Sequence, residues 1–148
     1  MPMRYDEPGP LARAGNEFIR RLAEAGISIA GTTALRVRGR RTGEPRSVVV
    51  NTMTVDGECY VVAPRGNTQW VRNARAAGTA EIGPRWHRRQ TRIVEVPDDA
   101  KPALLSRYLE RWFWEVKGHV AGLTPQSSDE QLRAAAPSIP VFRLTDLG

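Results

Sequence analysis

Two glycines bracket a run of basic residues in the segment from Arg38 to Arg46. Glycine adopts positive φ without steric cost, so a glycine on each side allows a tight turn between two strands. The turn presents the side chains of Arg40, Arg41 and Thr42, together with backbone N–H groups that can form an anion-binding nest. Arg46 lies at the base of the same hairpin. These donors suit a phosphate group, although an ordinary basic hairpin turn would show the same pattern.

A second segment places an arginine–glycine pair, Arg65–Gly66, between a predicted strand and a predicted helix. Asn67 or Thr68 can cap that helix, and a helix N-terminus is a natural site for an anion. Trp70 and Asn73 are three residues apart and therefore share one face of the helix. The Trp70 indole is expected either to cover a planar ring or to anchor the helix on the core.

Other familiar chemistries lack the residues that they need. The chain has no Gly-x-Ser-x-Gly elbow, no phosphate-binding Walker loop and no Gly-x-Gly-x-x-Gly after a strand. His87 and His119 do not stand at metal-ligand spacing with each other or with Cys59, so no metal site is predicted. Cys59 is interpreted as a small core residue, since the sequence brings no activating base near it. The sequence identifies no catalytic residue.

The composition is typical of one globular domain that occupies residues 11–148, after a flexible, polar N-terminus at residues 1–10. The chain has 148 residues, of which 41% are hydrophobic and 26% charged. No apolar run approaches the ~20 residues of a membrane span, and the N-terminus lacks the apolar core of a signal peptide. With a lone cysteine, the chain is predicted to be cytoplasmic.

Basic residues outnumber acidic ones, which gives a formal net charge of +6. Either nucleic acid or a small polyanionic ligand would fit that charge. The arginines cluster at two loops, and neither a recognition helix nor an aromatic–basic sheet emerges, so nucleic acid is disfavoured. An amphipathic helix over Leu11–Ala25 is expected to dock on the domain's own core, and membrane contact is not indicated.

The hydrophobic pattern predicts strands joined mostly by short turns and helices. Strands are expected at Thr33–Arg38, Arg46–Val55, Glu58–Ala63, Thr79–Ile82, Trp86–Val96 and Ile139–Leu144. Helices are expected up to Gly78, after Pro97–Asp99 and after Ser127–Glu130. The prediction is an α+β fold, a closed or split β-barrel of antiparallel strands with helices packed outside.

Together, the two loop segments resemble the nitroreductase family of deazaflavin-dependent oxidoreductases. The family pattern is Gly-Arg-(Lys/Arg)-(Ser/Thr)-Gly-x-Pro-Arg, a hairpin, a strand that ends in a small residue and Lys/Arg-Gly, and then Trp-x-x-Asn. In this chain these elements stand, in order, at Gly39–Arg46, Ala63–Gly66 and Trp70–Asn73. The resemblance covers residues 33–144.

The resemblance implies a split β-barrel of the flavin-reductase type that binds coenzyme F(420), a deazaflavin with a phosphate and an oligoglutamate tail. It implies hydride transfer from the reduced cofactor to a small hydrophobic acceptor: a quinone, an enone or a nitro compound. The implied cofactor contacts are Arg40, Arg41, Thr42, Arg46, Val49, Val50, Asn51, Ala63, Pro64, Arg65, Trp70, Val71 and Asn73.

Two departures from the family pattern affect the acceptor side. Pro64 stands where the family's nitroreductase has a serine, and Asn51 where it has a tyrosine. Nitroimidazole reduction is therefore not implied.

Two alternative functions stay open: an oxidoreductase that uses flavin mononucleotide (FMN) on the same barrel, and a non-catalytic carrier of a cofactor or lipid-like ligand. A proton would come from solvent or from Tyr60 or Tyr108, and the chain would be a monomer or a homodimer.

Overall fold

The computed structural model describes residues 32–84, 87–116 and 120–147. The predicted helix at Leu11–Ala25, together with Trp86 and His119, lies outside these residues. The strands are β1 (Thr32–Arg38), β2 (Pro45–Val55), β3 (Glu58–Val62), β4 (Thr79–Ile82), β5 (Arg89–Glu95) and β6 (Val141–Asp146). The helices are α1 (Gln69–Ala77), α2 (Lys101–Val116) and α3 (Asp129–Ala135), with single 3₁₀ turns at Asp98–Ala100 and Ala136–Ser138.

The strands close into one barrel in the order β1-β2-β3-β6-β5-β4. Every neighbouring pair is antiparallel, and the circle is completed where Leu35 of β1 lies opposite Ile82 of β4. Closure satisfies the backbone groups that an open sheet would leave along its edges. The predicted antiparallel barrel with external helices is confirmed.

The barrel wall separates two apolar clusters. The inner cluster fills the barrel with alternate side chains from the strands, and α1 adds Val71 and Ala74 to it. The outer cluster lies between the barrel and the helices α2 and α3, and is built around Trp112, Tyr108 and Leu109. The Trp112 indole N–H ties α2 to the wall by donating to the Thr52 carbonyl at 3.2 Å.

Several element boundaries differ from the sequence prediction. Strand β5 begins at Arg89 rather than at residue 86, and β6 begins at Val141 rather than at Ile139. Ile139 is fully buried, and its N–H closes the preceding 3₁₀ turn by donating to the Ala136 carbonyl at 3.1 Å. The start of α3 follows the prediction, because Ser128 caps the helix in a reciprocal capping box.

Strand β1 is buried on both faces, although its alternation of apolar and basic residues predicts a half-buried strand. Leu35 faces the barrel interior, while Arg36 on the opposite face is only 7% exposed. The Arg36 guanidinium donates to the Glu81 carboxylate at 3.2 Å and to the Gly83 carbonyl at 2.8 Å. Burial of this charge is tolerated because both partners accept its protons.

Within the described residues, no helix combines the length and the apolar character that crossing a bilayer requires.

Candidate functional site

The hairpin between β1 and β2 is a closed loop held by its own backbone. Gly39 N–H donates to the Glu44 carbonyl at 2.7 Å, and Gly43 N–H donates to the Gly39 carbonyl at 2.9 Å. Arg38 adds a guanidinium bond to the Gly43 carbonyl at 2.7 Å. Gly43 has a φ of +75°, which a glycine adopts without strain. The sequence thus folds here into a loop of defined shape.

These internal bonds reduce the number of N–H groups that the hairpin can offer to an anion. The N–H of Glu44 donates to Thr42 Oγ1 at 3.2 Å, and the N–H of Arg40 donates to Asn73 Oδ1 at 3.1 Å. Among the described residues, the N–H groups of Arg41 and Thr42 have no acceptor. The predicted anion-binding nest is therefore reduced to two adjacent N–H groups, those of Arg41 and Thr42. The Thr42 hydroxyl, whose oxygen already accepts from Glu44, keeps its own proton for a ligand.

Arg41 and Arg46 contribute positive charge that nothing in the described part of the chain neutralises. Both side chains are exposed and make neither a hydrogen bond nor an ion pair with a described residue. Elsewhere the contrast is clear: Arg75, for example, forms a two-pronged bond with Glu95 at 2.8 and 2.7 Å. The hairpin therefore carries free guanidinium groups beside free N–H groups, a combination that favours a phosphate.

The two segments singled out in the sequence are in direct contact. One guanidinium nitrogen of Arg40 donates to Asn73 Oδ1 at 2.8 Å and to Gln69 Oε1 at 3.0 Å. Asn73 is only 5% exposed. Sequence reasoning missed Gln69, although its spacing of four residues from Asn73 places both on one face of α1.

The start of α1 lacks the cap that the sequence predicts. Thr68 occupies the N-cap position, but its side chain makes no capping bond. Its hydroxyl oxygen is buried and has no hydrogen-bond partner in the part of the chain that the structure describes. The other candidate, Asn67, uses Oδ1 to accept from Arg75 at 2.9 Å. The prediction of a side-chain cap is wrong, because Asn67 is engaged by Arg75 and Thr68 occupies the N-cap position without making the bond.

Trp70 anchors α1 on the barrel. Its ring lies 5.6 Å from that of Phe142, centroid to centroid, at an interplanar angle of 52°. Phe142 is 1% exposed within the inner cluster, whereas Trp70 is only partly buried. One side of the indole thus packs on the core, and the other side stays accessible to a ligand.

The remaining predicted contacts fall into two groups. Three of them bury their side chains in the inner cluster and leave only their backbones for a ligand: Val50, Ala63 and Val71, with exposures of 5%, 2% and 0%. Four are half-buried: Val49 and Asn51 on the outer face of β2, and Pro64 and Arg65 after β3. Register places Val61 opposite Thr52, so the chain beyond β3 runs back beside this part of β2.

Of the two tyrosines considered as proton donors, Tyr108 is 0% exposed inside the outer cluster, and this burial argues against the role. Tyr60 is half-buried on the outer face of β3, opposite Met53.

Cys59 packs against the inner cluster, as predicted, and burial raises the pKa of its thiol. A thiol with a raised pKa is a poor nucleophile at neutral pH. His87 is exposed. No group of metal-ligating side chains occurs among the described residues.

An open depression of about 530 Å³ lies on the Arg75 side of α1 and is lined by none of the predicted contacts. Its two cations, Arg75 and Lys101, are each paired with a carboxylate, those of Glu95 and Asp98. Because these charges cancel, the depression does not suit an anionic cofactor.

Comparison with known proteins yields one family. The family model described as F420H(2)-dependent quinone reductase matches residues 11–118. A search of curated protein sequences gives no significant match.

Solved structures share the fold at low sequence identity. An F420-H2 dependent reductase (FDR-A) is 16% identical, with a TM-score of 0.54 over 78% of this chain and 94% of that chain. The protein Atu2129 from Agrobacterium tumefaciens, of unknown function, is 17% identical, with a TM-score of 0.56 over 97% of this chain but only 58% of its own length. A putative 5-nitroimidazole antibiotic resistance protein from Bacteroides thetaiotaomicron is 12% identical, with a TM-score of 0.53 over 87% of this chain and 80% of that chain.

Proposed function

Because this chain belongs to the F420H(2)-dependent quinone reductase family, we propose that it reduces a quinone-type acceptor with coenzyme F(420) held at the β1–β2 hairpin. The family is one of deazaflavin-dependent oxidoreductases, which supports the cofactor. The observation that carries the proposed site is the pair of free N–H groups at Arg41 and Thr42, beside two guanidinium groups with no partner among the described residues. The site residues and the acceptor are our proposal.

The hairpin residues fit the phosphate end of such a cofactor. Arg41 offers a planar fork that can hold two phosphate oxygens at once, and Thr42 offers a hydroxyl proton beside its N–H. Arg46 lies close to the loop: a Cβ placed on Gly39 would be 3.9 Å from its Cγ. Neither arginine is paired with a carboxylate of the described residues, so no such pair has to be broken when a phosphate binds.

The planar ring of the cofactor requires a different surface, which we assign to half-buried residues farther along β2 and after β3. Val49 and Asn51 lie on the outer face of β2, and Pro64 and Arg65 follow β3 nearby. The exposed side of Trp70 adds a flat aromatic surface. Reduced deazaflavin, when bound, supplies the hydride. The chain's own residues bind and orient it, and solvent or the Tyr60 hydroxyl delivers the proton.

The decisive experiment is a fluorescence titration of the protein with coenzyme F(420) and, separately, with FMN, followed by anaerobic turnover with menadione. We expect tight binding of the deazaflavin and oxidation of its reduced form by the quinone. FMN offers a phosphate too, so a clear preference for FMN would refute the cofactor assignment. Tight deazaflavin binding without turnover of menadione, an enone or a nitro compound would instead indicate a carrier.

A further inference from the structure

Asn73 holds the hairpin from a helix that is distant in sequence. Its Oδ1 accepts from the Arg40 main-chain N–H at 3.1 Å and from the Arg40 guanidinium at 2.8 Å. An amide oxygen has two lone pairs, so both are used on this one residue. The same guanidinium nitrogen reaches Gln69 at 3.0 Å. Arg40 therefore lies along α1 and is fastened at its backbone and at its side chain.

This fastening determines which part of the hairpin can meet an anion. With the Arg40 N–H occupied, the next two N–H groups, those of Arg41 and Thr42, are the adjacent donors that have no acceptor among the described residues. A guanidinium that already donates to two amide oxygens has fewer protons to offer a phosphate. Arg40 is thus placed to support the loop, while the following dipeptide makes the contact.

Helix α1 does not depend on Asn73 for its own position. Val71 and Ala74 are 0% and 1% exposed in the inner cluster, and Trp70 packs on Phe142. Burial of these side chains fixes the helix by a much larger apolar contribution than one amide can give. Loss of the Asn73 side chain would consequently release the loop rather than the helix.

We propose that Asn73 is a positioning residue for the cofactor's phosphate loop, and that Arg40 acts as a strut between α1 and the loop rather than as a phosphate ligand. This inference rests on the proposed function, since it concerns the same site. Asn73, the asparagine of the Trp-x-x-Asn segment, then acts by holding Arg40 rather than by contacting the cofactor directly.

The test is a double-mutant cycle on cofactor binding. Asn73→Ala and Arg40→Ala are each expected to raise the Kd for coenzyme F(420) by about tenfold, the effect of losing hydrogen bonds that involve a charged group. The double variant is expected to bind no more weakly than Asn73→Ala, because that substitution already removes both the main-chain and the side-chain bond between Asn73 and Arg40. At saturating cofactor, kcat with menadione should stay within about twofold of wild type, so that the loss appears in the cofactor's KM.

Arg75→Ala is the matched control, because it removes a different polar tie of α1 to the barrel, the bond to Glu95. If loosening α1 were enough to weaken binding, this variant would weaken it too. At about 0.15 M salt, where charges are screened beyond about 8 Å, its Kd should stay within about twofold of wild type.

Each outcome is decisive. Additive losses of cofactor affinity in the cycle would show that Arg40 contacts the cofactor by itself, and this result would overturn the proposed strut role. An unchanged Kd in Asn73→Ala, with wild-type binding intact, would overturn the positioning role. Should Asn73→Ala fail to fold, the same cycle is run with Gln69→Ala, since Gln69 is exposed and accepts from the same Arg40 guanidinium. Gln69→Ala is then expected to add no loss to Arg40→Ala, and additive losses would overturn the strut. Failure of the wild-type protein to bind the deazaflavin would refute the proposed function itself.

Discussion

Replacing Arg41 by alanine tests the proposed phosphate contact most directly. The side chain is exposed and has no partner among the described residues, so its removal breaks no bond there. Stability should therefore change by no more than about 0.5 kcal/mol. A guanidinium–phosphate hydrogen bond contributes about 1.5–3 kcal/mol net. At about 1.4 kcal/mol per tenfold change, Arg41→Ala is expected to raise the Kd for coenzyme F(420) by about 10- to 100-fold.

The assay is a fluorescence titration of both proteins in the same buffer at about 0.15 M salt, where long-range effects of one lost charge are screened. Arg107→Ala is the control, because Arg107 is an exposed arginine of α2 that also lacks a partner among the described residues. Its Kd should stay within about twofold of wild type. Arg41→Lys should recover part of the loss, since it restores the charge without the planar fork. Equal effects of the Arg41 and Arg107 alanine variants would refute the reasoning.

Three further expectations concern the loop, the acid stability and the thiol. Gly39→Ala should weaken cofactor binding more than Gly43→Ala, because a Cβ on Gly39 would lie 3.1 Å from Thr42 Oγ1, whereas one on Gly43 meets nothing closer than 3.9 Å. Gly43→Ala should instead cost about 1–2 kcal/mol of stability, because the residue has a positive φ. The reverse ranking in titration and chemical denaturation would contradict this. The pKa of Glu81 is held below its usual range, first by the hydrogen bond from Gln90 and then by Arg36. Its contribution to stability is therefore present above the ordinary glutamate pKa of about 4.3 and is lost as the pH falls through the lowered value. The melting temperature of Glu81→Gln should fall less on acidification than that of wild type, and equal falls would exclude this role. Cys59, whose pKa burial raises, should react with iodoacetamide at pH 8 far more slowly in the folded protein than in guanidinium chloride, and equal rates would show that the thiol is accessible.

Much of the barrel could be predicted from the sequence, because strand periodicity is local. The strand β2, with its β-branched run bounded by Pro45 and the Asp56–Gly57 turn, follows the prediction to within one residue. The capping box at Ser128 is likewise a local signal. Where neighbouring residues decide the conformation, the pattern is sufficient.

Contacts between distant residues could not be predicted in the same way. The bond between Arg40 and Asn73 joins residues 33 positions apart, and no periodicity indicates it. The burial of Arg36 likewise depends on Glu81, which lies on a different strand. The loop alone predicted an anion site in outline, but which N–H groups remain free depends on these long-range partners.

The division of the apolar interior by the barrel wall has a consequence for how the protein opens and how its sequence can change. The inner cluster supports α1 and the hairpin, whereas the outer cluster secures α2 and α3. Local opening of the outer helices would therefore leave the β1–β2 hairpin, our proposed cofactor loop, in place, and amide exchange should be faster in α3 than in β1. Substitutions in one compartment can then accumulate without disturbing the other. A fold arranged in this way can vary its outer helices while it keeps the shape of the hairpin that we propose for the cofactor.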